Sequence, residues 1–327
     1  MLLAGCVAPS GGAGVARFEF VERHMGCAAR IVLFAEDERT ARAAARAGFD
    51  AIGRVDAVLS DYRVDSAVER LARMDVGESA GWEPELIDAL ERAARVSEES
   101  GGAFDVTVGP LVRVWREARR GRVLPSAEVI DAARGFVGWE RLRVDSRTRA
   151  IAGWRKGMRL DFGGIGQGIG ADRALAVLRS MGIAQALVDV SGDLAVGDPP
   201  PGERGWRVLV MEGEDGARET LMVARCGVTT SGDAEQFVEL GGERWSHVID
   251  PRTGWALTRG VRATVVAGDA TEADALATAV LVLGVERGIE LAERRVGVEA
   301  RVVERLVGGV VCGETTGYAG LGVRGWW

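Results

Sequence analysis

Lysine is almost missing from this 327-residue chain: Lys156 stands alone among 41 basic residues, the rest being arginine. The accompanying excess of arginine, alanine and glycine reads as genomic bias without functional content. Four cysteines, Cys6, Cys27, Cys226 and Cys312, are scattered without C-x-x-C spacing, and histidine occurs only at His24 and His247. Neither a zinc site nor a disulfide framework is expected from that pattern. No apolar run approaches the roughly 20 residues a spanning helix needs. Charges of both signs are interleaved, the net charge is -7, and there is no basic block. A surface that tracks nucleic-acid phosphates is therefore excluded. Internal repeats and interdomain linkers are also lacking, which favours one compact α+β body of mixed sheets packed with helices, with room for two lobes.

Glycine, by contrast, is concentrated. Met158 to Ala171 reads M-R-L-D-F-G-G-I-G-Q-G-I-G-A, five glycines in eight positions. Glycine loses more backbone entropy on folding than any other residue, so such density implies sharp bends or close approach. A helix is expected from Ala171 to Met181, with Gly182 as its stop, and a buried strand at Ala186–Val190. Strand, glycine loop, helix and strand aim free N–H groups and a helix dipole at an anion, here a nucleotide phosphate. Gly166 to Ala171 also satisfies G-x-G-x-x-A, with Asp189 as a possible ribose ligand, so a nicotinamide-dependent oxidoreductase is one alternative. A glycine turn serving close helix packing is another.

Around this centre the chain predicts two strands flanking His24-Met25-Gly26, a helix over Glu38–Leu59, and a short helix capped by Asp65. Further helices are expected from Pro84, from Pro110 through Trp115, and after Pro125-Ser126. A hairpin turns at Asp145-Ser146, and the strand Val261–Ala267 runs into a helix from Thr271 to Leu283. Helix and strand then alternate to Cys312.

Asp274 and Thr278 lie one helical turn apart, so a carboxylate and a hydroxyl can share one hard cation such as Mg2+; Thr271 as an N-cap with Asp274 in the first turn is the plain alternative. His247 precedes the turn at Asp250-Pro251, and an imidazole is suited to proton transfer near neutral pH. A hydrogen-bonded strand-end histidine fits equally. Tyr62 and Met25 offer an aromatic ring and a flexible thioether to cover a flat heteroaromatic ring.

Together these segments resemble the ApbE-type FAD:protein FMN transferase family. The resemblance rests on Met25-Gly26, Ser60-x-Tyr62, Asp105-x-Thr-Val-Gly-Pro110, Leu160-Asp-Phe-Gly-Gly-Ile165, Gly192-Asp193, Thr230-Ser-Gly-Asp233, Ser246 to Gly254 and Asp274-Ala-Leu-Ala-Thr278. It implies an enzyme that moves the FMN half of FAD onto a threonine of an acceptor flavoprotein and releases AMP. By the same resemblance Met25, Tyr62, Phe104, Asp105, Val106, Asp161, Gln167 and Val248 contact FAD. Gly164, through its carbonyl, Asp274 and Thr278 hold Mg2+, and His247 or Asp250 is the base. The family usually has lysine where this chain has Gln167, so a phosphate-facing cation is lost. A member that only binds FAD, or hydrolyses it to FMN and AMP, is the corresponding alternative.

The expected organisation is a leader or tether over residues 1–16, the transferase domain over 17–312 and a tail over 313–327. Leu3-Ala-Gly-Cys6 resembles a lipoprotein cleavage site without the charged n-region and full apolar stretch of a signal peptide. As encoded this reads as cytoplasmic. With a truncated start and a lipid anchor at Cys6 it would read as membrane-anchored outside the cytoplasm.

Overall fold

The computed structural model describes residues 5–6, 14–74, 76–211, 218–232, 237–306 and 309–322. Nine strands form one sheet: β1 (Gly5–Cys6), β2 (Ala16–His24), β3 (Cys27–Ala35), β4 (Ala186–Val190), β5 (Asp193–Val196), β6 (Cys226–Gly232), β7 (Gly260–Ala267), β8 (Glu299–Leu306) and β9 (Gly309–Glu314). They lie side by side in chain order, and each neighbouring pair is antiparallel. The fold is a meander into which helices are inserted, an α+β architecture.

Both faces of the sheet are covered, which explains the nearly continuous apolar runs of its central strands. Successive side chains of a strand point to opposite faces. On β3, Ile31 and Leu33 join the core under α1 (Glu38–Leu59) and α6 (Gly166–Ser180). Val32 points the other way, to Trp206, Val208, Leu221 and Tyr318 beneath the hairpin of Trp206–Met211 and Arg218–Val223. Helix α7 (Ala270–Glu293) packs beside α6, against the same sheet and against α3 (Pro84–Glu99). A separate apolar cluster joins α4 (Gly109–Gly121) and α5 (Ala127–Arg134) to the hairpin of Phe237–Leu240 and Glu243–Ser246.

Helix α1 has the expected bounds, with Asp37 capping Thr40 N at 2.8 Å and Phe49, Ile52, Val55 and Leu59 on its buried stripe. The cap of α2 (Ala67–Ala72) is Ser66 rather than Asp65: Ser66 Oγ accepts from Glu69 N at 3.0 Å, while the Asp65 carboxylate pairs with Arg63. The alternation expected after α7 is instead the β8–β9 hairpin. Nor do residues 313–322 form a free tail: Glu314 pairs with Arg301 and Tyr318 is fully buried. Of the expected leader, residues 1–4 and 7–13 lie outside the described residues, and the backbone of Gly5 and Cys6 pairs with β2.

The glycine segment departs most from expectation. α6 begins at Gly166, so Gly166, Gly168 and Gly170 lie inside the helix and not in a phosphate loop. A Cβ on Gly168 would sit 2.4 Å from the Ala270 carbonyl oxygen, and one on Gly170 3.3 Å from Met25 Sδ. Close crossing of α6 over α7 and α1 accounts for Gly168 and Gly170. Among the described residues no strand runs directly into α6 and the sheet has no parallel βαβ unit, so the Gly166–Ala171 segment is not a dinucleotide turn. Asp189 is occupied by Arg30 at 3.0 Å and Gly192 N at 2.9 Å.

Helix α7 is broken at Gly284, whose φ of 79° no other residue type adopts readily. Arg259 Nη2 donates to the Val282 carbonyl at 2.6 Å, and Glu304 accepts from Arg259 and from Val285 N. Groups freed by the break are thereby satisfied.

Candidate active site

The turn Asp161–Ile165, between the small Val76–Ser79, Arg143–Asp145 and Ala150–Arg155 sheet and α6, meets the Phe104–Val106 segment and Thr278 of α7. Asp161 N donates to the Val106 carbonyl at 2.7 Å, joining this turn to the Phe104–Val106 segment. Asp161 Oδ1 accepts from Gly163 N at 2.9 Å, and Oδ2 from Arg116 Nη2 at 3.2 Å. Burial pushes the Asp161 carboxyl above its ordinary range, the neighbouring Asp61 adds to this, and Gly163 N and Arg116 oppose it.

Past that turn, Gly164 lies against α7. A Cβ there would be 2.7 Å from Thr278 Oγ1. Asp274, one turn earlier on α7, is buried and accepts from Gly168 N at 3.0 Å through Oδ2, its one hydrogen bond among the described residues. Burial holds its carboxyl well above the usual range, with Asp193 and Asp172 adding repulsion. The N-cap of α7 is Asp269 and not Thr271, whose N and Oγ1 are held by Asp172 at 2.8 and 2.6 Å. An under-satisfied buried carboxylate, a hydroxyl and a glycine carbonyl on one locus form an all-oxygen donor set, which fits a hard divalent cation that also takes water and phosphate oxygens. Among the described residues no cluster of three His, Cys, Asp or Glu exists, so a site built from protein carboxylates and imidazoles alone is not available.

Met25 and Gly26 turn the β2–β3 hairpin with φ of 51° and 75°. Met25 packs on α6 beside Gly166 and Gly170. Gln167 Nε2 points to Cys27 Sγ at 3.4 Å, and burial raises the Cys27 thiol above its ordinary value. Phe104 and Val106 are buried in the core. The Asp105 carboxylate accepts from Thr107 N and Thr107 Oγ1, both at 2.7 Å, and from Trp139 N at 3.1 Å. It is thus a bracket for its own loop, with burial raising its carboxyl.

Tyr62 is the exposed side of the locus, 77% accessible, with the Arg116 guanidinium 4.6 Å over its ring. A cleft of about 380 Å³ opens beside it, lined by Asp61, Arg113, Arg116, Arg159 and Leu160 among others. His247 and Val248, both half-buried, lie in a segment whose backbone bonds Leu257 through Ser246 N and the Val248 carbonyl and which is bridged at Ile249–Ala256. Asp250 is committed: Arg252 Nε and Nη2 each reach one of its oxygens at 2.8 Å.

Two residues of this locus were not singled out in sequence, Asp61 and Arg116. In an arginine-rich chain one more arginine carries no signal. Asp233 lies outside the described residues.

The family model described as "ApbE family" matches residues 25–302. A Salmonella typhimurium protein named FAD:protein FMN transferase is 32% identical over 253 residues, 73% of this chain and 71% of the relative. One from Klebsiella pneumoniae with the same name is 31% identical over 302 residues, 88% and 85% of the two chains. The crystal structure of apo Pseudomonas stutzeri flavinyl transferase ApbE superposes with a TM-score of 0.84 at 30% identity, covering 95% of this chain and 98% of that one. Sequence and fold agree over nearly the same span, and the chain therefore belongs to the ApbE family and is a transferase enzyme.

Proposed function

We propose that the protein transfers the FMN half of FAD to a threonine hydroxyl of an acceptor flavoprotein, releasing AMP, with Mg2+ as cofactor. The name of the relatives supports the substrate and the transferred group. The observation that carries the assignment in this chain is the packing of Gly164 on Thr278, one turn from the buried Asp274. The Gly164 carbonyl, Asp274 and Thr278 would hold Mg2+, which when bound neutralises charge on the phosphoryl oxygens.

The threonine oxygen attacks the FMN phosphorus, the bridging P–O bond to the AMP phosphate breaks, and the hydroxyl proton is taken up by His247. Asp250 is the weaker candidate base because both its oxygens are engaged by Arg252. Met25, Tyr62, Asp161, Gln167, Val248 and the Phe104–Val106 segment would contact FAD. Asp105 contributes through the loop it braces, its carboxylate being occupied. Binding of FAD with hydrolysis in place of transfer is favoured by one observation: the Gln167 amide is turned to Cys27 and carries no charge.

Incubation of the protein with FAD and a threonine-bearing acceptor, with and without Mg2+, separates these outcomes. An acceptor mass gain equal to FMN, together with AMP and dependent on Mg2+, is expected. AMP without mass gain would favour hydrolysis. Neither FAD binding nor AMP would reject the proposal.

A further inference from the structure

Arg119 lies three residues beyond Arg116 on α4, and no acid neutralises it among the described residues. Arg116 is bonded to Asp61 and Asp161, the latter three residues ahead of Gly164. Arg119 Nη2 donates to the Ser246 carbonyl at 2.9 Å, one residue ahead of His247. Among the described residues no carboxylate lies within ion-pair distance of Arg119, and its Nε is buried without a hydrogen-bond partner.

A half-buried guanidinium in that state is costly, because donors removed from water are uncompensated. Burial, with Arg116 adding repulsion, lowers its pKa from the ordinary value. The protein nonetheless holds it beside Ser246, next to His247.

We propose that Arg119 binds the pyrophosphate of the substrate, donating through the free edge of its guanidinium while Nη2 stays on Ser246. This rests on FAD being the substrate. A planar fork of donors suits adjacent phosphate oxygens, and the bond to Ser246 ties occupation of that subsite to the position of the following His247.

Full-length protein and the variants Arg119→Lys and Arg119→Gln are titrated with FAD and with riboflavin, which lacks the pyrophosphate, at low and moderate salt. Arg119→Gln is expected to weaken FAD binding about 10- to 100-fold, with riboflavin changed less than about 2-fold and a shallower salt dependence for FAD. Arg119→Lys, which keeps the charge, is expected to retain most of the affinity. Equal weakening of both ligands, an unchanged FAD affinity in Arg119→Gln, or Lys as poor as Gln overturns the role of Arg119 while leaving FAD as substrate. Failure of the unmodified protein to bind FAD overturns both.

Discussion

Gly164 and Thr278 are packed so closely that a Cβ on Gly164 would stand 2.7 Å from Thr278 Oγ1 and 3.2 Å from its Cγ2. Residues 114 positions apart in the chain are thus held in close contact, with the Asp274 carboxylate one turn before Thr278 on the same helix.

Gly164→Ala is therefore expected to displace the Thr278 hydroxyl and reduce Mg2+-dependent AMP release at least about 10-fold, a loss consistent with misplacing a group by about 1 Å. Titrating Mg2+ should show a raised half-saturating concentration with the melting temperature little changed. Unaltered Mg2+ dependence would separate Gly164 from the metal site.

Gly168→Ala tests the packing role of the glycines. The added methyl would meet the Ala270 carbonyl oxygen at 2.4 Å and Asp274 Cβ at 2.9 Å, and neither a backbone oxygen nor a buried Cβ can yield easily. Overpacking of this kind costs about 1–3 kcal/mol or more, so a clear fall in melting temperature is expected without any ligand present. A variant as stable as the parent that merely binds FAD less well would restore the glycines to a phosphate-binding role.

Asp193 makes a pH-dependent contribution whose sign follows from its environment. Burial pushes its carboxyl up to about 7, Asp189 adds to the shift, and the Thr229 hydroxyl, 2.8 Å away, opposes it. In the unfolded chain the group ionises near 3.8. Between these values the folded protein retains a proton that the unfolded chain has lost, so stability falls as pH rises from 3.8 to about 7, by at most about 1.4 kcal/mol per pH unit from this group, and levels off above. Asp193→Asn keeps an acceptor for Thr229 and removes that loss. Its melting temperature in metal-free buffer is expected to match the parent at pH 4 and exceed it progressively towards pH 7. A gap independent of pH would show that Asp193 does not titrate in this window.

Gln167→Lys replaces an amide turned to Cys27 with an ammonium beside the first turn of α6. Faster AMP release, by several-fold, is expected if missing positive charge limits turnover. The adjacent Cys27 thiol should also become more acidic, which thiol-modification rates across pH would report. A variant no faster than the parent would show that the rest of the site already supplies the charge.

Local signals were legible where neighbouring residues decide the structure. The cap at Asp37 and the apolar stripe to Leu59 mark α1, and Met25-Gly26 marks the β2–β3 turn, because capping, periodicity and left-handed conformation are short-range effects. The Asp274 and Thr278 pair was readable for the same reason, both standing on one helix face. Local rules misled at Asp65, where Ser66 stood one residue closer to the first helical N–H groups. They misled again at Gly166 to Gly170, since a glycine kept for helix crossing and one kept for a tight turn are the same letter.

The sequence alone determined the α+β class, most helices and strands and the ordered motifs of the family, and it placed Asp274 and Thr278 one turn apart on α7. Only the tertiary structure decided that the long strands form a meander in chain order and that α6 glycines serve close packing. It also decided that Asp105 and Asp250 are already occupied and that Arg119 meets a backbone carbonyl but, among the described residues, no carboxylate. Those outcomes depend on which groups from distant segments meet across a few ångströms. Charge compensation and packing at that range are properties of the assembled fold, not of any stretch of chain.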